Sequence, residues 1–192
     1  MSEIVYRRAE TDDAEAIYVF GRQLLSETSL MLLYPDERAK SVDDMRFVIQ
    51  RFHEMPRHFL VNAWDGDICV GEALCMGGQF ERNKHAGRVG VGVLASHYGR
   101  GVGKGLMQEI ERVAKENDIS RLDLTVMSHN ERAHRLYSSG NADLQTPVGR
   151  DSQLGDQRSP EGEFTGQRVT ETPHETEIVI RAQHPLHRQK KR

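Results

Sequence analysis

Long apolar runs, cysteines and aromatic side chains are all scarce in this chain of 192 residues. No stretch reaches the roughly 18 apolar residues of a membrane-spanning helix, so no membrane partner is expected. The N-terminus, Met-Ser-Glu-Ile, lacks the basic and apolar regions of a secretory signal. The two cysteines, Cys69 and Cys75, lie six apart in one predicted strand. They cannot form a disulfide framework, and they read as core positions on one strand face. The nine histidines show no metal-ligand spacing with them, so no metal is expected. A net charge of -3 and a pI near 6.3 give no argument for a nucleic-acid partner. A reduced, soluble, cytoplasmic protein is the expectation.

One absence is local. Every Met, Tyr, Cys and Trp, and every Phe but Phe164, lies at or before residue 137. Only 11 of the 52 residues from 141 to 192 are apolar, and four of the six prolines are there, too few apolar side chains for an ordinary core segment. The chain therefore divides into residues 1–140, able to bury a core, and a divergent polar segment, 141–192. The basic end, His187 to Arg192, could dock an anionic partner, although such runs are usually only solvated.

The first part reads as mixed α/β. Glu3 to Arg8 is a strand with Ile4 and Tyr6 on one face. A helix follows, with Asp12 as cap and Glu15 as capping-box partner, burying Ile17, Phe20 and Leu24. Ser41 to Asp44 is a second capping box, ahead of Met45, Val48, Ile49 and Phe52 at helical spacing; Pro56 closes that helix. His58–Ala63 and Ile68–Met76 are strands around an Asp-Gly hairpin signal. A turn leads into a central strand from about His85 to Leu94, and after a further helix Arg121–Val126 is another strand. Asn130 caps a short helix carrying Ala133, Leu136 and Tyr137, ended by Gly140.

The chain is organised around the stretch from Val89 to Met107. Val89, Val91 and Val93 alternate with glycines, which suits a strand whose backbone is closely approached. Gly99, Gly101, Gly103 and Gly105 then flank Arg100 and Lys104, and Leu106, Ile110, Val113 and Ala114 share one helical face. Glycines at a helix N-terminus leave N–H groups unpaired at the positive end of the helix dipole, a site for phosphate. A Walker loop is excluded, because Lys104 is followed by Gly105 and Tyr98 stands at the first glycine position. A dinucleotide fingerprint fails at Leu106.

The turn does resemble the (Q/R)xxGx(G/A) turn of the GNAT acetyltransferase superfamily, with Gly101 and Gly103 as its glycines and Tyr98 in place of Gln/Arg. Gly77 to His85, Arg121 to Asn130, and the N-x-x-A-x-x-L-Y run from Asn130 to Tyr137 are similar to a broad bacterial subgroup, so the resemblance covers about residues 3–140. The pattern then departs: Ser138-Ser-Gly-Asn141 follows Tyr137 without the usual Gly-Phe, and only Thr176 to Ala182 could make one of the two remaining strands. Lost strands would leave part of the sheet uncovered.

The resemblance implies a mainly antiparallel sheet flanked by helices, and acetyl transfer from acetyl-CoA to an amine by direct attack. The central strand and the strand at Arg121 would splay apart. The pantetheine arm would pair near Val91 to Ala95, taking in Val93, Leu94 and Ala95. The N–H groups of Arg100, Gly101, Val102, Gly103 and Lys104 would hold the pyrophosphate. Arg100 and Lys104 either add charge there or are solvated. Tyr137 would protonate the departing thiolate. Asn130 either caps its helix or also bonds the cofactor arm. Candidates near the acceptor are Glu27, Glu37, Glu72 and His85, although Glu72 reads better as an exposed strand residue and His85 as a turn histidine. Asp123 reads as a surface position. The acceptor, a small-molecule or protein amine, stays open, as does a homodimer. The alternative is a catalytically impaired acyl-CoA-binding protein of the same fold.

Overall fold

In a computed structural model, residues 3–31, 38–127, 129–138, 142–143 and 175–181 are described. Strand β1 (Ile4–Arg8) leads through one 3-10 turn (Thr11–Asp13) into helix α1 (Ala14–Glu27). Helix α2 (Val42–Glu54) precedes three strands, β2 (His58–Asp65), β3 (Ile68–Gly77) and β4 (Ala86–Val93). Helix α3 (Val102–Glu116), strand β5 (Arg121–Met127) and helix α4 (Glu131–Ser138) follow, then strands β6 (Ala142–Asp143) and β7 (Glu175–Arg181). The strands make one sheet in the order β1-β2-β3-β4-β5-β7-β6. Every described neighbouring pair is antiparallel except β4 and β5. The fold is mixed α/β, with helices on both faces.

Each face has its own core. On one, α3 packs Leu106, Ile110 and Val113 against Val61, Ala73, Val89 and Leu122. On the other, α1 and α2 bring Ile17, Phe20, Leu24, Met45 and Ile49 onto Leu60, Trp64 and Cys69. Each such side chain, fully removed from water, contributes about 1.5–3 kcal/mol.

Local chemistry departs from the sequence expectations at several points. The entry to α1 is organised by Asp13, not by Asp12 and Glu15. The Asp13 carboxylate accepts the Glu10 N–H at 2.8 Å and both Arg7 donors at 2.6 and 2.7 Å. Burial works to raise the Asp13 pKa, but Arg7 and the Glu10 N–H outweigh it and hold the carboxyl below its ordinary value. Ser41 does cap α2, accepting the Asp44 N–H at 3.0 Å, while the Asp44 carboxylate turns back to the Lys40 N–H. β2 runs on to Asp65, past the expected end at Ala63.

The two cysteines do not share a face. Ala63 pairs with Gly71 but Trp64 pairs with Cys69, so Val70 is an extra residue and the alternation of β3 inverts there. Cys75 lies in the α3 core and Cys69 in the α1–α2 core.

Near the C-terminus, β7 pairs along all of β5, from Arg121–Arg181 to Met127–Glu175, and β6 pairs with β7. The strand that Thr176 to Ala182 offered thus forms as β7, and part of the sheet expected to lie uncovered is paired; the Glu-Ile-Val-Ile run supplies the β propensity. Gly140 and the basic end from His187 lie outside the described residues.

Candidate active site

Strands β4 and β5 run parallel and pair only at Ala86–Arg121, Gly87–Leu122 and Arg88–Asp123. Beyond Arg88 they part, so β4 from Val89 to Val93 has no strand on its β5 side. The gap opens into a cleft of about 1080 Å³ that reaches from the glycine turn to α2.

The glycine turn forms one end. Gly101 caps α3 at φ +81°, a left-handed conformation that a side chain would strain, and a Cβ there would meet open space. The first bond of the helix runs from the Gly105 N–H to the Gly101 carbonyl at 3.0 Å. The N–H groups of Val102, Gly103 and Lys104 therefore lack backbone acceptors among the described residues, at the positive end of the helix. Lys104 is exposed and lines the cleft.

Tyr137 lines the same cleft from α4 and is 8% exposed. Burial pushes its phenol up to about 12, so the hydroxyl keeps its proton at neutral pH. No described residue hydrogen-bonds that hydroxyl. Asn130 accepts the Ala133 N–H at 3.1 Å, which caps α4, and it also borders the cleft. Val93, Gly101, Val102 and Gly103 line it too. The sequence candidates Tyr137, Val93, Gly101, Val102, Gly103, Lys104 and Asn130 are thus brought together.

Others are not. The Leu94 side chain is buried in the α1–α2 core, and its N–H goes to the Val70 carbonyl at 3.0 Å. The Ala95 N–H is taken by Glu27 Oε2 at 2.8 Å. Both backbones are committed inside the protein, because the chain turns away after Val93. The Arg100 guanidinium bonds Asp65 Oδ2 at 3.3 Å, beside the His97 Nε2–Asp65 contact of 3.1 Å. It ties the turn to the β2–β3 hairpin and does not line the cleft. His85 is exposed at the far end of β4, where its carbonyl accepts the Ser120 and Arg121 N–H groups.

Glu72 reverses its expected exposure: it is buried, lines the cleft and takes two bonds from Arg38 at 3.0 and 2.8 Å. Glu27 borders the cleft while holding Ala95 and accepting from Gln23 at 2.8 Å. Glu37 lies outside the described residues. Asp123 accepts from Arg121 at 2.7 Å.

Four cleft arginines, Arg38, Arg88, Arg132 and Arg135, escaped the sequence reading. Arg38 reaches Glu72 across 34 positions, a pairing that no local pattern announces. Arg132 stacks its guanidinium 3.7 Å from the Tyr98 ring centroid, bridging α4 and the glycine turn. Arg88 carried a legible signal, since it alternates in step with Gly90 and Gly92 and therefore shares their face. No group of three or more His, Cys, Asp or Glu side chains able to hold a metal occurs among the described residues. No described helix is long and apolar enough to cross a membrane.

No curated protein matches the sequence significantly. Among solved structures, a GNAT-family acetyltransferase from Streptococcus pneumoniae aligns with TM-score 0.76 and 20% identity, over 94% of this chain and 100% of that one. A ribosomal-protein-alanine N-acetyltransferase from Brucella melitensis aligns at 0.70 and 16%, over 92% and 99%. A phosphinothricin acetyltransferase from Sinorhizobium meliloti, in complex with acetyl-CoA, aligns at 0.70 and 14%, over 93% and 88%. At these identities the likeness is one of fold. The family profile described as acetyltransferase (GNAT) matches residues 23–140, more than half of the chain. The chain belongs to the GNAT acetyltransferase family.

Proposed function

We propose that this protein binds acetyl-CoA in the cleft between β4 and β5 and transfers the acetyl group to a primary amine. The observation that carries this is one shared space, lined by the strand gap, the first turn of α3 and Tyr137. The residues fit the ligand. On the β5 side, backbone groups of β4 beyond Arg88 have no strand partner among the described residues and can take an amide-bearing arm. The N–H groups of Val102, Gly103 and Lys104 suit a pyrophosphate. Arg132, over Tyr98, places a cation near the turn.

A neutral amine nitrogen forms a bond to the thioester carbonyl carbon, and the C–S bond breaks. Tyr137, protonated because its surroundings disfavour phenolate, gives its proton to the leaving sulfur. The extra proton on the nitrogen of the tetrahedral intermediate passes to water. The Tyr137 phenolate takes a proton back from water, which leaves a neutral amide, a thiol and the starting phenol. The remaining contribution is orientation of the two reactants. The test is thiol release from acetyl-CoA, wild type against Tyr137→Phe. The rate is expected to fall about 10²-fold or more, with acetyl-CoA affinity unchanged. Equal rates contradict the role of Tyr137. Acetyl-CoA binding without transfer to any amine would favour the acyl-CoA-binding alternative.

A further inference from the structure

Away from the phosphate end, the cleft changes character. Its walls there are Met45, Val48 and Phe52 of α2, Leu60 of β2, and Leu74 and Met76 of β3. This is the face to which Gly90 and Gly92 point. Leu24 closes over Gly92, where an added Cβ would lie 2.5 Å from it. At Gly90 an added Cβ would meet Leu74 only at ordinary contact, 3.5 Å, so a floor is left open beside the apolar wall. At the mouth stands Arg88, opposite Met76 in the β3–β4 ladder, exposed and without an ion pair among the described residues. Asp123, its neighbour across the strand gap, is held by Arg121 at 2.7 Å.

Charge narrows the choice. The described lining carries two acids, Glu27 and Glu72, and five lysines or arginines. Glu72 is neutralised by Arg38 through two bonds, and Glu27 is spent on the Ala95 N–H. Among the described lining residues, therefore, no carboxylate is left without a partner to receive a second ammonium. An apolar wall rewards a hydrocarbon body, and an unpaired guanidinium at its edge suits a carboxylate.

Resting on the acetyl-transfer reading above, we infer that the acceptor is a monoamine with an apolar body and one carboxylate: an apolar α-amino acid or a close derivative. The body packs between α2 and β3, the carboxylate faces Arg88, and the amine points along the Gly90 floor towards the thioester.

The experiment uses the full chain, acetyl-CoA and four probes: L-leucine, L-phenylalanine, 3-methylbutylamine and spermidine. Thiol release gives kcat and KM, and acetyl-CoA binding is measured on the same preparation. At least one amino acid is expected to be acetylated. For leucine, the KM should be roughly tenfold or more below that of 3-methylbutylamine, the same body without the carboxylate. In Arg88→Gln the amino acid should lose that advantage, a collapse of the ratio that a merely structural effect would not produce. Acetylation of spermidine in preference to the amino acids overturns the inference and leaves acetyl transfer standing. So does an equal KM for leucine and 3-methylbutylamine, or a ratio untouched by Arg88→Gln. A folded protein that fails to bind acetyl-CoA overturns the acetyl-transfer reading, and this inference with it.

Discussion

Three neutral groups keep their protons to higher pH in the folded chain than in the unfolded one. Burial pushes Cys69 and Cys75 up to about 12 from 9.0, with Glu72 adding to the effect at Cys69, and it pushes Tyr137 up to about 12 from 10.0. A raised folded-state pKa stabilises the native chain fully below the unfolded value, and that contribution is lost as pH climbs through the folded value. The melting temperature should therefore decline progressively between about pH 9 and pH 12, and less steeply in a Cys75→Ala variant. A melting temperature flat across that range contradicts the burial of these groups. Arg132 offers a second residue-scale test. Removing its charge from above Tyr98 should weaken acetyl-CoA binding by about 0.5–2 kcal/mol in Arg132→Ala, read calorimetrically. An unchanged affinity would mean that the guanidinium only packs on the ring.

At the scale of elements, the site depends on where α3 begins. Gly71, beside the extra residue of β3, lies under that first turn: an added Cβ would be 2.9 Å from Leu106 Cδ1 and 3.2 Å from Val102 Cγ1. Gly71→Val should push the α3 N-terminus off the sheet, costing about 1–3 kcal/mol in urea unfolding and weakening acetyl-CoA binding. Gly90→Ala, with ordinary contacts, should do neither by comparison. Equal stability of the two would contradict this packing. The same bulge shows where sequence patterns stop. Strand and helix positions from Ile4 to Tyr137 were legible because amphipathic spacing, the Ser41 cap and the Asp-Gly turn are local signals. An inserted residue at Val70 inverts a face without changing composition, so the two cysteines were placed together wrongly. Leu94 and Ala95 turn away from the cleft for a related reason. The chain leaves the strand line after Val93, and only the third dimension shows Glu27 waiting for the Ala95 N–H.

At the scale of the molecule, the end of the cleft formed by the glycine turn is written in one contiguous stretch and was readable there. The other end is assembled from α1, α2, β2, β3 and β4, so its apolar wall, the Arg38–Glu72 pair and Arg88, without an ion pair among the described residues, emerge only once the sheet forms. The pairing of β7 along β5 is likewise a long-range event, from Arg121 with Arg181 to Met127 with Glu175.

The central claim is that the start of α3 holds the pyrophosphate of acetyl-CoA. The most direct measurement is calorimetric titration with acetyl-CoA of the wild type and of Gly103→Glu. That change places a carboxylate beside the free N–H groups, where a Cβ already comes within 3.1 Å of Leu136. Circular dichroism checks that both proteins are folded. Saturable binding of about micromolar affinity by the wild type, weakened at least about a hundredfold in Gly103→Glu, is the predicted result, a difference near 2.7 kcal/mol. A folded wild type that does not bind, or equal binding by the two proteins, would contradict it.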